Sequence, residues 1–184
     1  MLISIKTRLL FATIILLTAF TAQAQDNVKT IGNKARTGTS NASFSVVKGS
    51  QLGVKMKAGG KPVQLLSLNF GVENRNSDSL KFKVNVYEYD GTKTNNNYVK
   101  QDIIGYIPHG KNRITVDLAP YNVTVKGSLL VAIEWMDTHK GSEPSFSIGL
   151  FNGGTFRYQS GEWKKIPVAG VDFNLEVKKL PKAE

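Results

Sequence analysis

The sequence predicts an all-β protein: an antiparallel two-sheet β-sandwich, jelly-roll-like, of about ten strands. Three observations carry that reading. Residues Leu80–Tyr89 (LKFKVNVYEY) set Phe82, Val84 and Val86 against Lys81, Lys83, Asn85 and Tyr87. That period of two is what a strand with one buried and one wet face demands. Comparable segments recur at intervals of about 8 to 15 residues, punctuated by Gly, Pro, Asn and Asp. No stretch after residue 25 keeps a helical period over several turns. A strand count above seven favours jelly-roll over immunoglobulin connectivity, with a closed barrel as the other arrangement.

The first 24 residues stand apart from this pattern. Lys6 and Arg8 precede an apolar run, LLFATIILLTAF, and Ala22-Gln23-Ala24 follows it. Basic start, apolar centre and small residues at the cleavage positions read as a secretory signal peptide at 1–24. The run is shorter than the roughly twenty residues a membrane span needs. Residues 25–42 are polar and read as a flexible leader; the alternative is an edge strand too polar to recognise. Residues 43–180 form the single sandwich domain.

Within that domain, 43–47 begins regular structure, and in 51–57 Leu52, Val54 and Met56 face inward while Lys55 and Lys57 face out. Ala58-Gly59-Gly60-Lys61-Pro62 has the composition of a turn. In 63–72, Leu66, Leu68, Phe70 and Val72 are the inward row. The loop 73–79 leads into Leu80–Tyr89, and 90–97 (DGTKTNNN) reads as a protruding polar loop. A strand at 98–106, a break at 108–112 and a strand at 113–118 follow.

Ala119-Pro120 turns the chain into a short strand at 122–125, ended by Lys126-Gly127. In 128–135, Leu129, Val131, Ile133 and Trp135 share one face, and the opposite face is also largely apolar. That marks a central strand with Trp135 in the core. After the polar loop 137–144, Phe146, Ile148 and Leu150 form an inward row. Asn152-Gly153-Gly154 and Ser160-Gly161 are hairpin signals. The last strand, 171–178, alternates Val171, Phe173, Leu175 and Val177 inward with Asp172, Asn174, Glu176 and Lys178 outward.

Composition narrows the chemistry. The chain carries 24 basic and 14 acidic residues, a net +10, and no cysteine. Without Lys6 and Arg8 the basic count is 22 and the balance +8. The surplus favours anionic partners, an acidic polysaccharide or other envelope component, or an envelope protein; an exported chain seldom meets nucleic acid. The absence of cysteine excludes thiol catalysis, Cys-zinc sites and lipid attachment through an acylated cysteine.

Enzyme readings lack parts, and no catalytic residue, cofactor or metal is assigned. His109 and His139 lie in polar loops away from any second ligand or nucleophile motif. An acidic pair would have to be Asp117 with Glu134, converging across a concave face. Asp90 with Asn95 to Asn97, and Asp137 with Glu143, are oxygen-rich without a recognised calcium spacing. Aromatic residues are the stronger lead, because sugar-binding sandwiches stack pyranose faces on exposed rings. The candidate ligand-binding set is Trp163, Tyr158, Tyr87, Tyr89, Lys81 and Lys83, with Tyr106 also outward. Trp163 reads equally as a hairpin staple. Lys55, Lys57, Lys81 and Lys83 would form a basic stripe if their strands were neighbours.

The strings Leu80-x-Phe82-x-Val84-x-Val86-Tyr87, Asp117-Leu118-x-x-Tyr121-x-Val123 and Ala132-Ile133-Glu134-Trp135 run through the domain. Trp163-Lys164-x-Ile166 and Asp172-Phe173-x-Leu175-x-Val177 close it. Together they resemble a β-sandwich module of exported Gram-negative cell-envelope proteins, the domain that follows carboxypeptidase-regulatory-like domains. The resemblance spans residues 50–178, without the regulatory-like domain itself. It implies a non-enzymatic, envelope-associated protein, in the periplasm, on the outer surface or secreted, and it transfers no site residue. The expected function is a non-catalytic sandwich that binds carbohydrate or another anionic envelope component. The alternative is a structural or assembly protein docking on a protein partner.

Overall fold

The computed structural model describes residues 27–36, 40–91 and 94–180; the expected signal peptide lies outside them. Thirteen strands form an antiparallel β-sandwich, more than the ten expected. They are β1 (Val28–Gly32), β2 (Asn41–Ser43), β3 (Gln51–Asn74), β4 (Leu80–Tyr89) and β5 (Thr94–Asn97). Then come β6 (Ile104–Ile107), β7 (Gly110–Asp117), a 3-10 turn at Ala119–Tyr121 and β8 (Thr124–Trp135). The chain ends with β9 (Ser145–Leu150), β10 (Thr155–Gln159), β11 (Glu162–Ile166), β12 (Ala169–Val171) and β13 (Asn174–Lys179).

The long strand β3 builds both layers. Its first half runs between β8 and β10, in the order β4–β8–β3–β10–β11. Its second half lies between β7 and β13, with β1 on the outer edge of β13. Phe70 from the second half meets Phe82 of β4 edge-on, with centroids 5.7 Å apart, and Phe173 at 4.9 Å. Phe146 packs against Phe70 and Trp135. These rings, with the Val, Leu and Ile rows, form the fully buried layer between the sheets.

Several expectations are corrected here. The expected turn at 58–62 and the break at Lys126-Gly127 do not end strands. Gly59 lies opposite Gly127 in a β3–β8 ladder that shifts register on both sides of Gly59. Both glycines have positive φ, +99° and +77°, a backbone that lets paired strands bend together from one layer to the next. Leu66 is the extra residue of a bulge against Glu176 and Val177, so Leu65 takes the buried position expected for Leu66.

Thr94–Asn97, read as loop, is β5 on the edge of β4, and the expected strand at 98–106 shrinks to β6. The Asn152-Gly153-Gly154 signal does not make a hairpin: β9 pairs with β2, β3 and β12, and β10 with β3 and β11. Val28–Gly32, inside the expected leader, is an edge strand on β13.

Asp172, expected outward, is buried. Its Oδ2 accepts from Arg113 Nη2 at 2.7 Å, Arg113 Nη1 at 3.1 Å and the Arg36 amide at 2.9 Å, and its Oδ1 accepts from the Gly71 amide at 2.8 Å. A carboxylate with four donors offsets its desolvation. A Cβ on Gly71 would crowd Ser147 Oγ at 2.8 Å, so the glycine makes room for the Ser147 side chain beside the clasp.

Asp172→Ala leaves the Arg113 guanidinium, the buried Gly71 amide and the part-buried Arg36 amide without this acceptor, and should lower unfolding stability by about 3 kcal/mol. Gly127→Ala has open space around its Cβ, so backbone strain alone should cost about 1 kcal/mol. Urea midpoints of the two variants test both; equal small losses would refute the assigned role of Asp172.

Candidate functional site

Period-two alternation gives the first layer an outer face, and the strand register arranges it in rows. One row reads Lys83, Glu134, Gln51, Tyr158, Trp163 across β4, β8, β3, β10 and β11, each directly opposite the next. The next reads Asn85, Ala132, Gly53, Phe156, Lys165, and a third Tyr87, Leu130, Lys55. The small residues at the middle of the second row leave room for rings to lean over them. A Cβ at Gly53 would sit 2.9 Å from the Val131 carbonyl oxygen.

Tyr87 leans across that trough and meets Trp163 edge-on at 6.1 Å. Trp163 packs on its cross-strand partner Tyr158 at 5.3 Å. Tyr89 packs edge-on against Phe156 at 5.6 Å, and Lys55 Nζ lies 5.1 Å over the Tyr89 ring. Lys165 Nζ lies 5.7 Å over Phe156. Four half-buried rings, Tyr87, Tyr89, Tyr158 and Trp163, therefore share one outward surface, with Phe156 buried beneath them.

A polar network runs under and beside them. Gln51 Oε1 accepts from the Tyr87 hydroxyl at 3.0 Å and from Asn85 Nδ2 at 3.3 Å. Asn85 Nδ2 also donates to Glu134 Oε2 at 2.8 Å, and Glu134 Oε1 pairs with Lys83 at 3.2 Å. Asn97 Nδ2 donates to Asn85 Oδ1 at 3.0 Å, tying β5 to the network. Gln51 and Asn85 are buried beneath the rings. Burial pushes the Tyr87 phenol above its ordinary value; the bond to Gln51 opposes this, and the nearby Glu134 and Tyr158 add to it.

Of the six residues singled out from sequence, Trp163, Tyr158 and Tyr87 meet in one cluster, and Tyr89 borders it. Lys83 is in the row but neutralised by Glu134. Lys81 lies opposite Tyr106 of β6, beyond the rings. The expected basic stripe is interrupted: β8 separates the Lys55 strand from the Lys83 strand, and its Glu134 faces Lys83. Trp163 is both staple and surface, half-buried against two tyrosines. Trp135 is buried in the core as expected.

Gln51, Glu134, Asn97 and Phe156 were not singled out as ligand-binding residues. Outward polar alternation hinted at Glu134, but the row that joins them depends on pairings distant in sequence. Asp117, the other acid considered, pairs with Ser67 in the second half of β3, while Glu134 pairs with Gln51 in the first. Among the described residues, no three His, Asp or Glu side chains gather to hold a metal ion.

No family model matches the chain, and no curated protein matches it. Solved structures that share the fold include two of a clostridial protein. One contains the cysteine protease and lectin-like domains of Cwp84, a surface layer associated protein of Clostridium difficile. It is 12% identical, with TM-score 0.59, over 85% of this chain and 37% of that one. The other is clostridial Cwp84 after propeptide cleavage, 13% identical with TM-score 0.59, over 85% and 41%. The present chain thus spans about two fifths of those neighbours. At these identities the likeness concerns the β-sandwich itself.

The Tyr87 shift has a measurable consequence. The folded protein holds this proton more tightly than the unfolded chain, whose tyrosines ionise near 10.0. Its stabilising contribution is therefore complete below that pH and is lost as pH rises through the higher folded value. Phenolate absorbance should show a late component that Tyr87→Phe reduces, the Tyr98 phenol, also raised by burial, supplying the remainder; an unchanged alkaline end of the curve would contradict the buried placement.

Proposed function

We propose that this protein is a non-catalytic, exported sandwich that binds carbohydrate through the outer face of β4, β8, β3, β10 and β11. The observation that carries the reading is the meeting of Tyr87, Tyr158 and Trp163 on a solvent-facing surface beside carboxamides, a carboxylate and an ammonium group. Rings supply the flat apolar surface that a pyranose C–H face covers, and the polar row supplies donors and acceptors for its hydroxyls. With Lys83 paired to Glu134, Lys55 and Lys165 beside the rings leave this face basic, which supports neutral or acidic glycans over basic ones. The export signal read at 1–24 supports a location outside the cytoplasm. Among the described residues no helix is long and apolar enough to cross a membrane.

A panel of neutral and anionic glycans, titrated against the chain at low and high salt, tests this. Trp163→Ala should weaken binding about tenfold, as expected for the loss of one stacking contact, and Trp163→Phe should recover part of it. Stacking survives salt, whereas attraction through the lysines alone fades as the Debye length shrinks. Glycan affinity indifferent to Trp163→Ala, or absent at low salt, would refute the proposal.

A further inference from the structure

One end of the sandwich carries an apolar tip that the carbohydrate face does not use. Phe151 is 84% exposed, Leu150 56%, Val168 49% and Ile166 39%. They come from two adjacent segments, the β9–β10 connection and the β11–β12 connection. The Phe151 amide donates to the Val168 carbonyl at 2.8 Å, Leu150 lies opposite Ala169, and Ile166 lies opposite Thr155. These pairings bring the four residues onto neighbouring chain segments. Isolated exposed apolar side chains are ordinary, but a contiguous group at a protrusion marks an interaction site.

Two features show that this tip is built. Phe151 holds φ at +54°, a left-handed conformation that a bulky side chain adopts only when its surroundings impose it. The loop behind it is braced, not loose. Thr155 Oγ1 donates to the Ala169 carbonyl at 2.8 Å and accepts from the Val171 amide at 3.0 Å, and Asn152 Nδ2 donates to the Gly170 carbonyl at 3.1 Å. The strain is thus held in place by hydrogen bonds while the ring stands in solvent.

Charge decides the partner. Lys164 and Lys165 immediately precede Ile166, and Arg36 packs beside Gly149, where a Cβ would lie 3.0 Å from its Nη2. Between Leu150 and Val171 the single acidic residue is Glu162. The carboxylate of Asp172 is turned inward and engaged by Arg113. A small apolar protrusion collared by cations matches a surface that is negative outside and hydrocarbon within. We propose that the tip formed by Leu150, Phe151, Ile166 and Val168 inserts into an anionic lipid bilayer, with Lys164 and Arg36 at the headgroups.

Vesicle co-sedimentation tests this with residues 25–184, which retain every described residue and omit an apolar run that would insert by itself. Vesicles of phosphatidylglycerol in phosphatidylcholine should bind the protein, and pure phosphatidylcholine should bind it far less. Phe151→Gly suits the left-handed backbone, so its fold is secure; it should lower partitioning about tenfold, the order expected for withdrawing one aromatic side chain from hydrocarbon. Lys164→Ala with Arg36→Ala should weaken binding at low salt and flatten its salt dependence. In Phe151→Trp, indole emission should shift to the blue with anionic vesicles and be quenched by lipids labelled in the acyl chain. No binding to anionic vesicles, or binding indifferent to Phe151→Gly, overturns the proposal. So does concentration-dependent self-association without lipid that Phe151→Gly abolishes, which would make a second copy the occupant. Trp163→Ala should leave vesicle binding intact, so this outcome is independent of the carbohydrate reading.

Discussion

The continuous passage of β3 through both layers is the constraint on which the rest of the molecule depends. A strand of 24 residues cannot stay in one flat sheet of this size, and its twist would carry its end away from its neighbours. The paired kink at Gly59 and Gly127 resolves this by bending β3 and β8 together, so that hydrogen bonding resumes in the second layer. Five strands, β7, β8, β9, β10 and β13, then take their register from β3. The outer aromatic face and the buried Asp172 clasp are consequently fixed by opposite halves of a single strand. Disturbing the corner would move one relative to the other.

Within the first layer, a second device sets the fine geometry of the face. Ser160 and Gly161 both have positive φ, +53° and +88°, the signature of a two-residue type I′ turn. That turn places Tyr158 opposite Trp163, and the Tyr158–Gln51 pairing aligns both with Glu134 and Lys83. A slip of one residue would send Trp163 to the other face and leave Tyr87 without its partner. Stapling the hairpin and presenting a ring surface are thus one requirement, since the contacts that lock the register are those that assemble the rings.

What was legible in the sequence was local. Alternation in β4, in the second half of β8 and in β13 gave the inward rows, and the Ser160-Gly161 hairpin and the core position of Trp135 followed from short patterns. Three features were hidden for physical reasons. Gly59 and Gly127 look like strand ends because glycine serves turns and bends alike; only their pairing across two strands distinguishes these uses. Thr94–Asn97 has a loop composition, yet pairs on β4 and lends Asn97 to the buried amide network. Asp172 obeys an alternating pattern that assigns it to solvent. The expected strand is interrupted between β12 and β13 at that point, and Arg113, remote in sequence, makes the inward carboxylate tolerable. The aromatic set was visible as residue types, but the polar row joining its members exists only through long-range register.

The strand β11 links the two surfaces described above. Alternation puts Trp163 and Lys165 on the aromatic face, while Lys164 and Ile166 face the other way, with Ile166 at the apolar tip. Three residues separate the ring of the platform from that tip, a rise of about 10 Å along an extended strand. Such a spacing is comparable to the depth of a headgroup layer, so a bilayer engaged by Phe151 would place carbohydrate bound at Trp163 close to the membrane plane. Glycans attached to lipids, or lying against them, have that geometry; a polymer held far from the surface does not. If both proposals hold, the short span of β11 would favour carbohydrate lying close to the bilayer that the tip engages, through backbone geometry and independently of ligand affinity.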